Sequence, residues 1–414
     1  MPGSQEKRPR LASLDLLRGL DVLLMLFVNE MAGVPGTPLF LRHAHRDDDF
    51  MTLTDVVFPA FLFIVGMAIP LALGARLRRG ESRASVLRHV LGRTLALLVM
   101  GVFMVNAEEA GSGGIIPLPV WNMLVTVGVL LVWQAPSAEA KTRGRQRTLR
   151  ALGIVGLVAL ALVYRRGAEG AGWFQLHHSW WGILGLIGWS YLVGAAAYLF
   201  FGERPAALTG LTAILYCVYF ADAAGHAAFL AAFSPFVSVG SMLGSHGAIV
   251  VSGVVLGVMI AQRREGPGEG EALARSAFAY ALGMAAAGFL LHTLHDLDSA
   301  FHFSKILATP SWCLVSSAAT AATWSLVYMV SDVWGFKAWP RAVTMAGENA
   351  LLAYLVAPFL LSLFEATALV LGGFNFYGAL SEPTILGTIR SLLFAWIVVR
   401  LCGLLRARGL RLQL

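Results

Sequence analysis

The chain has 414 residues, of which 57% are apolar and 13% are charged, and its mean hydropathy is +0.70. A soluble domain has about 25% charged residues, so this composition excludes a soluble globular protein. It predicts a polytopic all-α helix bundle in a lipid bilayer. The net charge of +7 does not indicate a nucleic-acid partner, because the Lys and Arg residues fall in short segments between apolar stretches.

Apolar stretches of about 16–25 residues, the length that crosses a bilayer core, recur along the whole chain. We expect twelve membrane spans, at residues 14–34, 54–77, 89–106, 115–134, 149–164, 180–201, 206–221, 245–262, 272–292, 308–331, 347–371 and 384–405. The pair between 180 and 221 is alternatively one hairpin that does not fully cross. The expected organisation is an N-terminal segment (1–13), one transmembrane domain (14–405) and a tail (406–414).

Basic residues concentrate at the N-terminus, in alternate connections and in the tail, with Arg165 and Arg166 as the exception. Cytoplasmic loops carry the excess of Lys and Arg, so both termini are predicted to be cytoplasmic. The loop between the first two spans then faces away from the cytoplasm. The location that we expect is a bacterial inner membrane.

The first span carries polar residues that a membrane normally rejects, among them Asp15, Arg18 and Asn29. An ionisable group at membrane depth costs about 2.5–3.5 kcal/mol, so such residues usually mark a site or a pathway. Asp15 and Arg18 are three residues apart, and an ion pair without chemistry is the alternative for these two. Asn29 lies near the outer end of the span and is a candidate for the site.

The following loop contains His43 and His45, three consecutive aspartates, and Asp55 at the start of the second span. An imidazole that a carboxylate orients is suited to act as a general base near neutral pH. A solvated loop without function is the alternative, and His and Asp also suit zinc or calcium, although we predict no metal site. On chemistry alone, His45 is as good a base as His43.

Other polar residues fall into two groups by predicted side. On the outer side, the candidates are Asn106, His246 and Lys305, of which Lys305 either binds an anionic group or only lies at the membrane interface. On the inner side, Arg18, Arg93 and Asn349 are candidates for holding a cytoplasmic phosphate ligand. Charges that only set orientation are the default explanation for the inner group, and a satisfied hydrogen bond is the default for each lone histidine.

Four motifs match a known family in chain order: SLDLLRG with FVN in the first span, HA before T-x-x-D-x-V-F-P, ATPSWCL after Lys305, and ENALLAYL at 348–355. They resemble the heparan-α-glucosaminide N-acetyltransferase family of transmembrane acyltransferases. The resemblance implies acetyl transfer from cytoplasmic acetyl-CoA to an extracytoplasmic amino sugar, with His43 as the catalytic base. It also places Asp55 and Trp312 in matched motifs on the acceptor side, where Asn29, Asn106, His246 and Lys305 are then candidates for contacting the acceptor or holding the oxyanion.

Two departures from the family accompany this resemblance. The family core has about ten spans, so an extra pair is expected near 180–221. No cysteine lies where a covalent acetyl relay has been considered for the family, so direct transfer between two bound substrates is favoured. For a bacterial member, a cell-envelope amino sugar is a better acceptor candidate than heparan sulfate.

Two other classes of function are compatible with these features. A twelve-span transporter would use the buried charges as a substrate or proton path. A member of the family that has lost its activity would serve as a membrane scaffold. Release of CoA that depends on an acceptor separates both from an enzyme. A homodimer is also left open.

Overall fold

The computed structural model describes residues 11–108, 115–135, 140–165, 175–180, 182–263 and 266–412. The basic N-terminal residues Lys7, Arg8 and Arg10 lie outside this part. Its helices are α1 (Ala12–Met31), α2 (Leu53–Arg78), α3 (Arg83–Glu108), α4 (Leu118–Trp133), α5 (Ala140–Val163), α6 (Ile183–Phe201), α7 (Pro205–Ala223), α8 (Gly247–Gln262), α9 (Glu269–His292), α10 (Pro310–Tyr328), α11 (Arg341–Glu348), α12 (Ala350–Val370), α13 (Phe376–Ala379) and α14 (Thr384–Ala407). Among the described residues no β-strand occurs, so the predicted all-α fold is confirmed.

Each of the twelve predicted spans coincides with one main helix. Ten helices in the described part are long and apolar enough to cross a membrane. The other two are α1, which carries four charged residues, and α4, which has 16 residues. α6 and α7 have 19 residues each and are both among the ten, so each is long enough for a full span.

Three of the predicted boundaries that differ from the structure concern candidate site residues. A π-helical segment, Val239–His246, extends the eighth span toward its N-terminus, so His246 lies about two turns inside this span. The third span begins at Arg83, so Arg93 lies in its third turn. The span predicted at 347–371 is divided between two helices, because the backbone of Asn349 leaves the helical region between α11 and α12.

Contacts between connections define two ends of the bundle. At the end that holds both described termini, which we call the terminal face, Ala12 bonds to Asp332 and Ala135 to Arg411. At the opposite end, which we call the His43 face, the loop from 32 to 52 meets the α9–α10 connection. Alternate connections therefore gather at opposite ends, as expected of a bundle of spans.

The centre of the bundle is the pair α2 and α8, which pack along their length. A Cβ atom on Gly66 would lie 2.1 Å from the Val250 carbonyl oxygen, and one on Gly253 would lie 2.1 Å from the Phe63 carbonyl oxygen. Only glycine permits this close backbone approach. The outer helices instead expose apolar side chains such as Leu282 and Ile385, as lipid contact requires.

Candidate active site

Asp55 is the residue that shapes the loop before α2. It is the third residue of α2, and its side chain reaches back to accept the Thr52 N–H, as in a capping box. The same oxygen, Oδ2, also accepts the Thr52 hydroxyl at 3.1 Å and the Ala44 N–H at 3.2 Å. The single proton of the Thr52 hydroxyl is shared between this oxygen and the carbonyl of Arg42, which lies 2.7 Å away. One buried carboxylate therefore fixes the backbone on both sides of His43.

His43 lies against the other oxygen of Asp55. Its Nδ1 is 3.0 Å from Asp55 Oδ1, and the Asp55 side chain is 1% exposed while that of His43 is 40% exposed. An ionised carboxylate only accepts, so the contact requires Nδ1–H. In this tautomer, Nε2 carries the lone pair, and it has no partner among the described residues. The backbone N–H of His45 donates to the Asp48 carboxylate and its carbonyl accepts the Asp48 N–H, and its ring has no hydrogen bond within the described part of the chain.

Lys305 completes this group from the α9–α10 connection. Its Nζ lies 3.1 Å from His43 Nδ1 and 4.0 Å from Asp55 Oδ1. Burial lowers the pKa of Lys305, and the Asp55 carboxylate opposes that shift. The turn after Lys305 is closed by Ala308, whose φ of 54° is in the left-handed region that glycine favours. The cluster of His43, Asp55 and Lys305 thus combines two loops that are far apart in sequence.

A second carboxylate, Asp49, joins the same two loops. It accepts the Phe303 N–H at 2.8 Å and lies 3.0 Å from His292 Nε2. Partial burial alone would raise the pKa of Asp49, but these hydrogen bonds outweigh it and hold the pKa below its ordinary value. Asp49 therefore fastens the His43 loop to the segment that carries Lys305.

Asp49, His292 and His295 also form a group that offers metal ligands, with one donor atom each and all three within 4.8 Å of one another. The rings of His292 and His295 are stacked at 10°, so their in-plane lone pairs run side by side and do not converge. The carboxylate already accepts hydrogen bonds from Phe303 and His292. We interpret this group as a clamp between loops.

A cavity of about 730 Å³ opens beside Lys305; we call it the His43-face cavity. Its polar lining residues are Asn29, Glu30, Glu108, Ser241, His246 and Lys305. His246 Nδ1 donates to the Ser241 carbonyl, which leaves Nε2 as an acceptor. His43 does not line this cavity, but it contacts Lys305, which does.

A second cavity, of about 660 Å³, opens toward the terminal face; we call it the terminal-face cavity. Its basic lining residues are Arg18, Arg76, Arg79, His89 and Arg93, and Asn349 is also part of its wall. Arg93 lies over the Tyr191 ring at 4.8 Å, and its Nε is buried without a partner among the described residues. A cationic cavity of this kind suits a polyanionic ligand.

The two cavities share four wall residues, Met25, Phe58, Ile183 and Tyr354. Phe58 lies one helical turn from Asp55 along α2. The Tyr354 hydroxyl has no hydrogen-bond partner in the part of the chain that the structure describes. The shared wall therefore brings the basic cavity and the His43 face within reach of each other, with one free hydroxyl between them.

Two further sequence candidates, Asn106 and Trp312, line neither cavity. Asn106 is fully buried and bonds through its side chain to Val102 and to the backbone of His177. Trp312 is fully buried, and its indole N–H donates to the backbone carbonyl of Asp55. Both side chains support loops and helices around the site.

Sequence reasoning missed Tyr354, His89 and Tyr191, and it assigned Arg76 and Arg79 to membrane orientation alone. The spacing of Arg76 and Arg79 at i and i+3 was the available signal, because a helix that continues to position 79 would put both on one face; in the structure, Arg79 is the residue that follows the last turn of α2. Tyr354 stands inside an apolar run and gave no signal of its own.

The fold and these two cavities define a class, a polytopic all-α membrane protein with a buried polar site. A family model described as Domain of unknown function (DUF5009) matches residues 10–235, which is more than half of the chain. The chain belongs to this family. The match extends through α6 and α7, so this family includes the pair that we expected to be extra.

Two curated relatives share a shorter region. The chain is 37% identical over 98 residues to the human protein named heparan-alpha-glucosaminide N-acetyltransferase, and 36% identical over 97 residues to the mouse protein of the same name. These regions cover 24% and 23% of this chain, and in each case 14% of the relative. The recognised resemblance is thereby confirmed over a part of the chain.

Proposed function

We propose that this protein is a transmembrane acetyltransferase that moves an acetyl group from acetyl-CoA to the amine of an amino sugar, or to a hydroxyl. The donor binds in the terminal-face cavity, and the acceptor binds at the His43 face. The observation that carries the proposal is the pair of cavities with a shared wall, one basic and the other next to His43. The names of the curated relatives support the same reaction.

His43 is the proposed general base. With Nδ1–H held by Asp55, Nε2 can accept the proton that the attacking nitrogen loses. Asp55 keeps this tautomer and stabilises the imidazolium that forms, because it accepts the Nδ1–H in both charge states. A positioned base of this kind contributes about 10²–10⁴-fold to the rate.

The donor site is assigned to the terminal-face cavity because acetyl-CoA carries several phosphate charges. Arg18, Arg76 and Arg93 would hold those phosphates, and the unpartnered Nε of Arg93 provides a free donor. Arg18 is seven residues from Met25 on α1, and Arg76 is 18 residues from Phe58 on α2. At ~1.5 Å per residue, the cations lie about 10 and 27 Å from the shared wall, so the donor must bind extended along the bundle.

The acetyl carbonyl then reacts near the shared wall. The free Tyr354 hydroxyl and the Lys305 ammonium are the proposed donors to the oxyanion, with Asn29 on the acceptor side. Asn106 and Trp312 were candidates for this role, and we now assign them to support of the site because their polar atoms already have partners. His246 offers Nε2 to a sugar hydroxyl.

The direction of transfer sets the proposed orientation. Acetyl-CoA is a cytoplasmic metabolite, so the terminal face would be cytoplasmic and the His43 face extracytoplasmic, in agreement with the positive-inside pattern. A bacterial inner membrane as the location and a homodimer as the assembly stay predictions.

The test is release of CoA by the purified full chain in detergent, with glucosamine as the acceptor probe. We expect N-acetylglucosamine to form together with CoA, and His43→Ala to lower the rate by about 10²–10⁴-fold. His45→Ala is the matched control, because His45 lies in the same loop without a contact to Asp55 or Lys305. An unchanged rate in His43→Ala would refute the assignment of the base, and CoA release that no acceptor stimulates would refute the transferase.

A further inference from the structure

Lys305 differs from almost every other basic residue of this chain. Only four of the 31 Lys and Arg residues are lysines, namely Lys7, Lys141, Lys305 and Lys337. By sequence position, the other three precede α1, begin α5 or follow α10, all in segments of the terminal side. A guanidinium stays protonated, whereas a lysine can lose its proton and become a nucleophile when it is buried. At position 305, the chain therefore has a primary amine that can act as a nucleophile, which an arginine at the same place could not do.

The surroundings of Lys305 make its ammonium easier to deprotonate than an exposed lysine. Its side chain is 24% exposed, it lines the His43-face cavity, and burial lowers its pKa. His43 Nδ1 lies 3.1 Å away, at hydrogen-bond distance for a proton transfer. The titratable groups around it are Asp55, His43 and His246, and Glu30 and Glu108 line the same cavity. The His43-face cavity that Lys305 lines also includes the four wall residues that it shares with the proposed donor cavity.

The two contacts at His43 Nδ1 require different tautomers. Nδ1–H donates to Asp55 and leaves Nε2 as the base for an external acceptor. In the other tautomer, Nε2 carries the proton, and the lone pair of Nδ1 accepts from the Lys305 ammonium. The same imidazole can thus take a proton from an external acceptor at Nε2 or from Lys305 at Nδ1.

We propose that Lys305 is a self-acetylation site, at which Nζ takes the acetyl group from acetyl-CoA when no acceptor is bound. The inference rests on the proposed function and extends it to a modification of the enzyme. The new C–N bond forms as the thioester C–S bond breaks. The Lys305 ammonium loses two protons in all: one passes through His43 to solvent, and the other ends on the CoA thiolate.

The modification has a direct consequence for the site. N-acetyl-lysine is a neutral amide, so the cavity loses its cation and gains an acetyl group beside His43. Hydrolysis of an amide is slow, so each acetylated molecule stays inactive. An external amine at high concentration competes for the donor and protects Lys305.

The experiment incubates the purified full chain with acetyl-CoA and no acceptor, and follows acetylation of each lysine by peptide mass spectrometry. Lys337 is the internal control, because it is exposed and has no histidine neighbour among the described residues. We expect acetyl-Lys305 to accumulate at least about tenfold faster than acetyl-Lys337, since a positioned amine reacts at a high effective concentration. Glucosamine should suppress the modification.

Two variants separate catalysed from spontaneous acetylation. His43→Gln should reduce acetylation of Lys305 to the rate of Lys337, whereas His45→Gln should leave it unchanged. Equal rates at Lys305 and Lys337 in the wild type, in a preparation that acetylates glucosamine, would refute the self-acetylation and leave the proposed function standing. Acetyl-Lys305 without any transfer to glucosamine would support the modification and contradict the amino-sugar acceptor. A preparation that does neither refutes both.

Discussion

Replacing Asp55 with asparagine tests how the site sets the tautomer of His43. Two backbone N–H groups, from Thr52 and Ala44, and the Thr52 hydroxyl converge on Oδ2 at 3.1–3.3 Å. An amide NH₂ group at this position would face the two N–H donors, so the amide oxygen of the variant must take the place of Oδ2. The NH₂ group is then directed to His43, where it donates to Nδ1. His43 is forced into the Nε2–H tautomer, and Nε2 cannot accept a proton.

The magnitude follows from what is lost. Without a base at Nε2, acetyl transfer should fall by about 10²–10⁴-fold, which is about 2.7–5.5 kcal/mol in the barrier. The hydrogen bond between His43 and the ionised carboxylate, worth about 1.5–3 kcal/mol, is replaced by one between two neutral groups, worth about 0.5–1.5 kcal/mol, while the bonds at the other oxygen position stay. The variant should therefore fold, with a lower melting temperature and little activity.

The assay is acceptor-dependent release of CoA, measured next to thermal unfolding in the same detergent. Asp47→Asn is the matched control: it removes the same charge from the same loop, and Asp47 is exposed without a hydrogen-bond partner in the described ranges. If Asp55→Asn keeps the wild-type rate, or if Asp47→Asn loses as much activity, the tautomer argument is wrong.

Three further predictions concern the donor site, the bundle core and the loop clamp. Arg93→Ala should raise the KM for acetyl-CoA about 10–100-fold, from about 1.5–3 kcal/mol per charged hydrogen bond, while Arg88→Ala on the exposed face of α3 should not. Gly66→Ala should lower the free energy of unfolding by about 1–3 kcal/mol because its Cβ meets the α8 backbone. Gly92 has open space around it, so Gly92→Ala should change the free energy of unfolding little or raise it. Thermal unfolding of both variants checks this. Since the pKa of Asp49 lies below the ordinary 3.8, its stabilisation is complete above pH 3.8 and is lost as the pH falls below that value. The melting temperatures of wild type and Asp49→Asn should therefore converge in acid, and a constant difference would contradict the clamp.

The local part of the site could be predicted from sequence, since its signals are close in the chain. Thr52 and Asp55 have capping-box spacing, and twelve residues separate His43 from Asp55, so loop and helix start are predictable together. The contact of Lys305 with His43 joins residues 262 positions apart. Alternation of spans predicts that both lie on one face, but a distance of 3.1 Å depends on how the loops pack.

Other features could not be predicted, because the hydrophobic pattern of a segment reflects its average environment and not the contacts of single residues. The run ENALLAYL reads as one continuous helix, yet the backbone at Asn349 breaks it and turns its amide to the Leu410 carbonyl. The glycine-rich stretch before His246 has too little apolar character to predict helix, and tight packing against α7 nevertheless winds it into a π-helix. Trp312 was predicted near the acceptor, but its role as a donor to a backbone carbonyl depends on packing alone.

The wall between the two cavities has a consequence for the membrane itself. Three of its four side chains, Met25, Phe58 and Ile183, are apolar, and such a constriction sheds water and resists the passage of hydrated ions. Without such a wall, two cavities that open at opposite ends of the bundle would let ions cross and dissipate the transmembrane potential. In the proposed reaction, the thioester end of the donor would reach this apolar wall, whereas hydrated ions would be excluded from it. We therefore expect Phe58→Ala to increase the leak of ions through the protein in sealed vesicles.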